Sequence, residues 1–150
     1  MKILAIDDQQ LVLLPLEKRL VALGYEVKTE NNGKSGMESF ETFQPDLVIV
    51  DMNMPNVSGI DVVKFIRNEK NADTPIMVLS GNTNDEVITE SFDLGINDYM
   101  KKPLSLNEIY ARVKRLIGAP ETNAVHELNN TIIEQRCVGV VIPSDNTSLR

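Results

Sequence analysis

Cysteine is almost absent. A single Cys137 excludes an internal disulfide and fits a reducing compartment. Set in an apolar run, it reads as a small hydrophobe rather than a redox centre. Histidine is as scarce. His126 stands alone, with no partners for a metal site and no helical bundle to present it as a phosphohistidine. No apolar run approaches the ~18 residues that a membrane span needs. The stretch Met1–Ile6 is too short for a signal peptide. A soluble, cytoplasmic protein is expected. Positive charge is in the minority, with 15 Lys and Arg against 22 Asp and Glu, a net charge of −7. That balance argues against a surface built to neutralise nucleic-acid phosphates. There is no internal repeat and no low-complexity tract. No Gly-x-Gly-x-x-Gly or P-loop follows the first apolar run, which argues against a nucleotide-binding domain.

What is present centres on Leu47-Val48-Ile49-Val50-Asp51-Met52-Asn53-Met54-Pro55. Four apolar residues run without alternation into an aspartate. Such a run reads as a strand buried on both faces of a parallel sheet. Met-Asn-Met-Pro ends it, because proline cannot continue a central strand. Asp51 therefore stands where a buried strand becomes a loop. In open α/β sheets, ligands bind beyond the carboxyl ends of the strands.

The remaining chain alternates in the same way. Lys2–Ile6 is an apolar strand ending in Asp7-Asp8. Leu13, Leu16, Leu20 and Leu23 follow at helical spacing, with Gly24 as the stop. Pro15 predicts a kink or an irregular first turn in that helix. Tyr25–Glu30 is a second strand, and Asn32 is placed to cap a helix carrying Met37 and Phe40. After the central loop, Ser58 and Asp61 form a capping box for a helix that buries Ile60, Val63 and Ile66. Ile76–Leu79 is a fourth strand ending at Ser80-Gly81. Thr83 and Glu86 form a second capping box, and that helix stops at Gly95. Asp98–Lys101 is a short fifth strand. Ser105 and Glu108 form a third box, with Leu104 and Ile109 as a hydrophobic staple, and the last helix carries Val113, Leu116 and Ile117. Five strands alternating with five helices predict a doubly wound α/β parallel sheet with helices on both faces.

The tail differs. Residues 118–130 read as a linker or loose helix, 137–142 as an isolated strand, and 143–150 as a frayed end. One apolar strand after a complete domain must extend the sheet edge, pair with another copy, or begin an absent output domain.

Four strand ends carry polar groups that apolar strands do not require: Asp7-Asp8, Asp51, Ser80, and Lys102 with Pro103. The order of carboxylate pair, lone carboxylate, hydroxyl and Lys-Pro resembles the receiver domains of response regulators in two-component signalling. The likeness runs from Met1 to Ile117 and includes Gly59 and Gly95-Ile96-Asn97-Asp98-Tyr99. It implies a flavodoxin-like strand order 2-1-3-4-5, a receiver domain over 1–117 and an extension over 118–150. It also implies that Asp51 takes a phosphoryl group from the phosphohistidine of a histidine kinase or phosphotransfer protein. Crowded carboxylates call for a hard cation, Mg²⁺ with Mn²⁺ as a substitute. By resemblance, Asp8 and Asp51 ligate it directly, Asp7 acts through water, and the Asn53 backbone carbonyl adds a ligand. Lys102 would pair with phosphate oxygens, and Pro103 would follow through a cis peptide. Ser80 and Tyr99 would act as switch residues moving the face of the fourth helix, fifth strand and fifth helix. Asn53 and Asn82 would tune self-dephosphorylation. Gln9, Leu11 and Val12 would influence choice of kinase, unless Leu11 and Val12 belong to the core. Arg112 and Asp98 occupy positions that help related transcription factors dimerise when activated, although the fourth helix lacks the basic residues that would face them.

Two other functions compete. An aspartate-nucleophile phosphatase would carry an acid two residues after the nucleophile, where this chain has Asn53. A pseudo-receiver that binds partners without phosphate is disfavoured by five intact site positions. An output through a downstream protein or a missing domain is left open.

Overall fold

The computed structural model describes residues 1–81 and 84–120. Asn82, Thr83, His126, Cys137 and the strand expected at 137–142 lie outside the described residues. The elements are β1 (Lys2–Ile6), α1 (Gln10–Ala22), β2 (Glu26–Glu30), α2 (Gly33–Phe43), β3 (Leu47–Asp51), α3 (Gly59–Lys64), β4 (Ile76–Ser80), α4 (Asp85–Asp93), β5 (Asp98–Lys101) and α5 (Leu106–Ile117). A π-helical turn, Phe65–Glu69, continues α3. The strands are all parallel, in the order β2-β1-β3-β4-β5.

Alternation along the strands divides the core in two. Ile3, Ala5, Leu47, Ile49, Met77 and Leu79 point to the side covered by α1 and α5. Leu4, Ile6, Val48, Val50, Ile76 and Val78 point to the side that holds Phe40, Val62, Val63 and Ile66. β3 and β4 are buried at every position, the signature of central parallel strands. β2 is an edge strand and remains partly exposed.

Most helix starts follow the capping residues in the sequence. The Asn32 side chain accepts from Ser35 N at 2.8 Å. Ser58 and Asp61 make the full reciprocal box, at 3.2 and 3.0 Å. Expectations are corrected at three helices. α4 is capped by Asn84, whose side chain accepts from Glu86 N at 2.9 Å, so this helix starts one residue later than a Thr83 cap would set it. At α5, Ser105 accepts from Glu108 N at 3.4 Å, but the Glu108 carboxylate turns to Arg112 at 2.8 Å rather than closing the box. In α3 the fully buried pair is Val62 and Val63, with Ile66 in the π turn, while Ile60 packs at the margin. α1 runs through Pro15 as one continuous helix, and at its start Gln9 O accepts from both Val12 N and Leu13 N.

The start of β2 is tied to the end of α5. Tyr25 is buried and its hydroxyl donates to Gly118 O at 2.8 Å. Burial, with Tyr110 nearby, pushes its pKa from 10.0 up to about 12. The folded chain thus holds the phenolic proton more tightly than the unfolded chain does. The resulting stability is whole below pH 10.0 and is lost as pH rises through about 12. Tyr25→Phe should cost about 1 kcal/mol near neutral pH from the lost hydrogen bond. It should also flatten the alkaline loss of stability, and urea unfolding at neutral and strongly alkaline pH checks both effects.

Candidate functional site

The parallel strands end along one edge, and three of them deliver charge there. Asp7 follows β1, Asp51 closes β3, and Lys102 follows β5. Asp7 and Asp51 are buried, at 1% and 4% exposure, whereas Asp8 is exposed. One carboxylate oxygen from each of Asp7, Asp8 and Asp51 lies within 4.8 Å of the others. The Lys102 Nζ sits 2.8 Å from Asp7 Oδ2 and 3.1 Å from Asp51 Oδ1. It also donates to Gln9 Oε1 at 3.3 Å.

Three carboxylates gather here and two of them pair with one ammonium, so the charge is incompletely met. Burial, then the charge of Asp7, raises the pKa of Asp51, against the opposing pull of Lys102. Burial alone would lower that of Lys102, but Asp7 and Asp51 outweigh it and raise it. Asp7 Oδ2 is wholly buried and faces the Lys102 ammonium at 2.8 Å. An all-oxygen donor set with surplus negative charge fits a hard divalent cation. Asn53 lies exposed in the loop two residues beyond Asp51.

The backbone around Asp51 is braced by close approach. Gly59 N donates to Met52 O at 2.9 Å, which sets the start of α3 against the end of β3. A Cβ on Gly59 would collide with the Asp51 carbonyl oxygen and come within 2.8 Å of Met52 Cα. Ser80 ends β4 fully buried, and its carbonyl accepts from Lys102 N at 2.9 Å. Tyr99 lies opposite Val78 in β5, half-buried against the α2–α3 side of the core. The Lys102–Pro103 peptide is cis.

The family described as the response regulator receiver domain matches residues 3–114. The chain belongs to that family. The alkaline phosphatase synthesis transcriptional regulatory protein PhoP of Bacillus subtilis is 34% identical to this receiver over 138 residues, covering 91% of this chain and 57% of PhoP. The cell cycle transcriptional regulator CtrA of Caulobacter vibrioides is 34% identical over 124 residues, covering 83% of this chain and 53% of CtrA. The chain thus spans about half the length of the curated relatives it matches. The chemotaxis protein CheY4 of Vibrio cholerae superposes with a TM-score of 0.72 at 28% identity, over 77% of this chain and 97% of that one. Among the described residues, no helix is long and apolar enough to cross a membrane.

The structure decides three further placements. Arg112 and Asp98 meet within the chain at 2.7 Å, and Arg115 adds a second ion pair to Asp98 at 2.8 Å. Leu11 is 91% exposed, while its neighbour Val12 packs on the core. Gln9 reaches Lys102, a contact signalled in sequence only by a glutamine where a shorter capping residue is usual. Gly59→Ala should displace the Asp51 backbone and destabilise the receiver by about 1–3 kcal/mol, the usual cost of overpacking, as measured by chemical denaturation.

Proposed function

We propose that this receiver is a phosphorylation switch in which Asp51 is the phosphoacceptor. The carrying observation is that Asp51 closes a fully buried strand beside Asp7, Asp8 and the Lys102 ammonium. The donor is the phosphohistidine of a sensor histidine kinase or phosphotransfer protein. An Asp51 carboxylate oxygen forms the new O–P bond as the P–N bond breaks. The bonding pair stays on the ring nitrogen, and a proton already on the other nitrogen leaves the imidazole neutral. Positioning and charge do most of the catalytic work in such a transfer. Asp7 and Asp51 hold Lys102 at the acceptor, where its point charge can meet phosphoryl oxygens. Asp8, Asp51, Asp7 and the Asn53 carbonyl would hold Mg²⁺, or Mn²⁺ in its place. When bound, the ion neutralises negative charge that Lys102 alone does not balance.

The output is a change in the α4–β5–α5 face, with Ser80 and Tyr99 as the moving pair. A new anion at Asp51 biases this two-state element. Asn53 and Asn82 set how fast water removes the phosphoryl group. The chain turns over nothing but its own phosphoryl group, so it acts as a switch rather than an enzyme. Its relatives PhoP and CtrA are named as transcriptional regulators. An output domain or a downstream protein would read the switched face here. The receiver would occupy 1–117, with 118–150 as an extension.

Incubation with acetyl phosphate and Mg²⁺, followed by intact-mass spectrometry, tests the reading. A single metal-dependent phosphoryl adduct is expected, absent in Asp51→Asn. No adduct on the unaltered chain, with Mg²⁺ binding shown separately, would transfer the case to a pseudo-receiver.

A further inference from the structure

We propose that Gln9 is a positioning residue for Lys102, its side-chain oxygen tethering the ammonium beside the acceptor carboxylate. The inference rests on the phosphoacceptor reading of Asp51.

Gln9 stands at the N-cap of α1. There, Ser, Thr, Asn or Asp would normally accept a backbone N–H from the first helical turn. The Gln9 side chain makes no capping bond, and the first turn of α1 contains no acidic residue. Its Oε1 accepts instead from Lys102 Nζ at 3.3 Å, across 93 residues of chain. A residue selected only to start the helix would be shorter and would point the other way.

The base of this tether is itself anchored. Gln9 N donates to Asp7 Oδ1 at 2.9 Å, so one carboxylate braces the backbone from which the amide reaches the lysine. Asp7 therefore acts on the ammonium twice, once directly through Oδ2 at 2.8 Å and once through Gln9.

Charge explains why an amide suits this place. The Lys102 side chain is only 17% exposed and ends on a flexible stem with three donor hydrogens. Its neighbours are two carboxylates and the Gln9 oxygen. The carboxylates hold the ammonium but also neutralise it. The amide holds direction without cancelling charge, which leaves the lysine able to meet an incoming phosphoryl group. When Asp51 is phosphorylated, its direct ion pair with Lys102 weakens, and the Gln9 tether is indifferent to that change.

The test uses the full chain and two variants. Gln9→Met keeps the length of the side chain and removes the oxygen acceptor. Gln9→Glu keeps an oxygen acceptor. With saturating acetyl phosphate and Mg²⁺, Gln9→Met should lower the maximal rate of Asp51 phosphorylation about five- to tenfold, the scale of one ordinary net hydrogen bond. Its Mg²⁺ affinity and melting temperature should stay unchanged. In ¹⁵N-detected spectra at low temperature, the Lys102 ammonium should exchange slowly with solvent in the unaltered chain and in Gln9→Glu, and quickly in Gln9→Met. A role in helix capping alone would move the melting temperature and leave the ammonium signal intact. Unchanged rate and unchanged exchange in Gln9→Met would overturn the proposal. If the unaltered chain takes no phosphoryl group, the phosphoacceptor reading fails and the transfer role of Gln9 fails with it. The ammonium exchange tells that failure apart from loss of the tether.

Discussion

Carboxylates crowded into a buried site repel one another and each resists ionisation unless a cation answers them. Asp7 and Asp51 are enclosed within the protein, Asp8 stands at their margin, and Lys102 is the cation the chain itself provides. This electrostatic demand determines what the fold must accomplish. Residues separated by nearly the whole domain have to end within ion-pair distance of one another. A parallel sheet meets the demand because its strands all finish on the same edge. With β3 between β1 and β4, and β5 beyond β4, the ends of three strands converge there.

Convergence needs a rigid frame behind it. The two faces of the sheet are filled by alternate residues of the same strands, so no strand can slip by one residue without exposing its core side chains. Gly59 lets the start of α3 approach the backbone of Asp51 more closely than any side chain would permit. Further from the site, Arg67 in the π turn donates to Gly95 O, Ala72 O and Asn97 Oδ1. The same Asn97 oxygen accepts from Ile76 N at 2.9 Å. This one guanidinium joins the end of α3 to the entry into both β4 and β5, and so to the strand that leads to Lys102.

The α4–β5–α5 face carries charge pairs made within the chain. Asp98 is buried and bound by Arg112 and Arg115, while Glu108 holds Arg112 from the neighbouring turn. Any partner or second copy using those groups must compete with bonds already formed. α4 presents Asp85 and Glu86 in its first turn and no basic residue in its last. The acidic helix thus lies beside a face whose arginines are already engaged.

By itself the sequence determined the layered fold, the strand ends and the types of residue gathered there. Continuous apolar runs, capping residues and stops are local signals, and the alternation of strand and helix leaves few ways to connect them. It also indicated Asn32, Ser58 and Ser105 as helix caps, because capping depends on residues only a few positions apart. Tertiary structure decided what depends on distance and direction across the fold. It set Lys102 between Asp7 and Asp51, turned the Gln9 amide toward the lysine, and paired Asp98 with arginines of its own chain. It also gave the Glu108 carboxylate to Arg112 rather than to a capping box. Those choices are competitions between partners distant in sequence, settled only when packing brings the alternatives together.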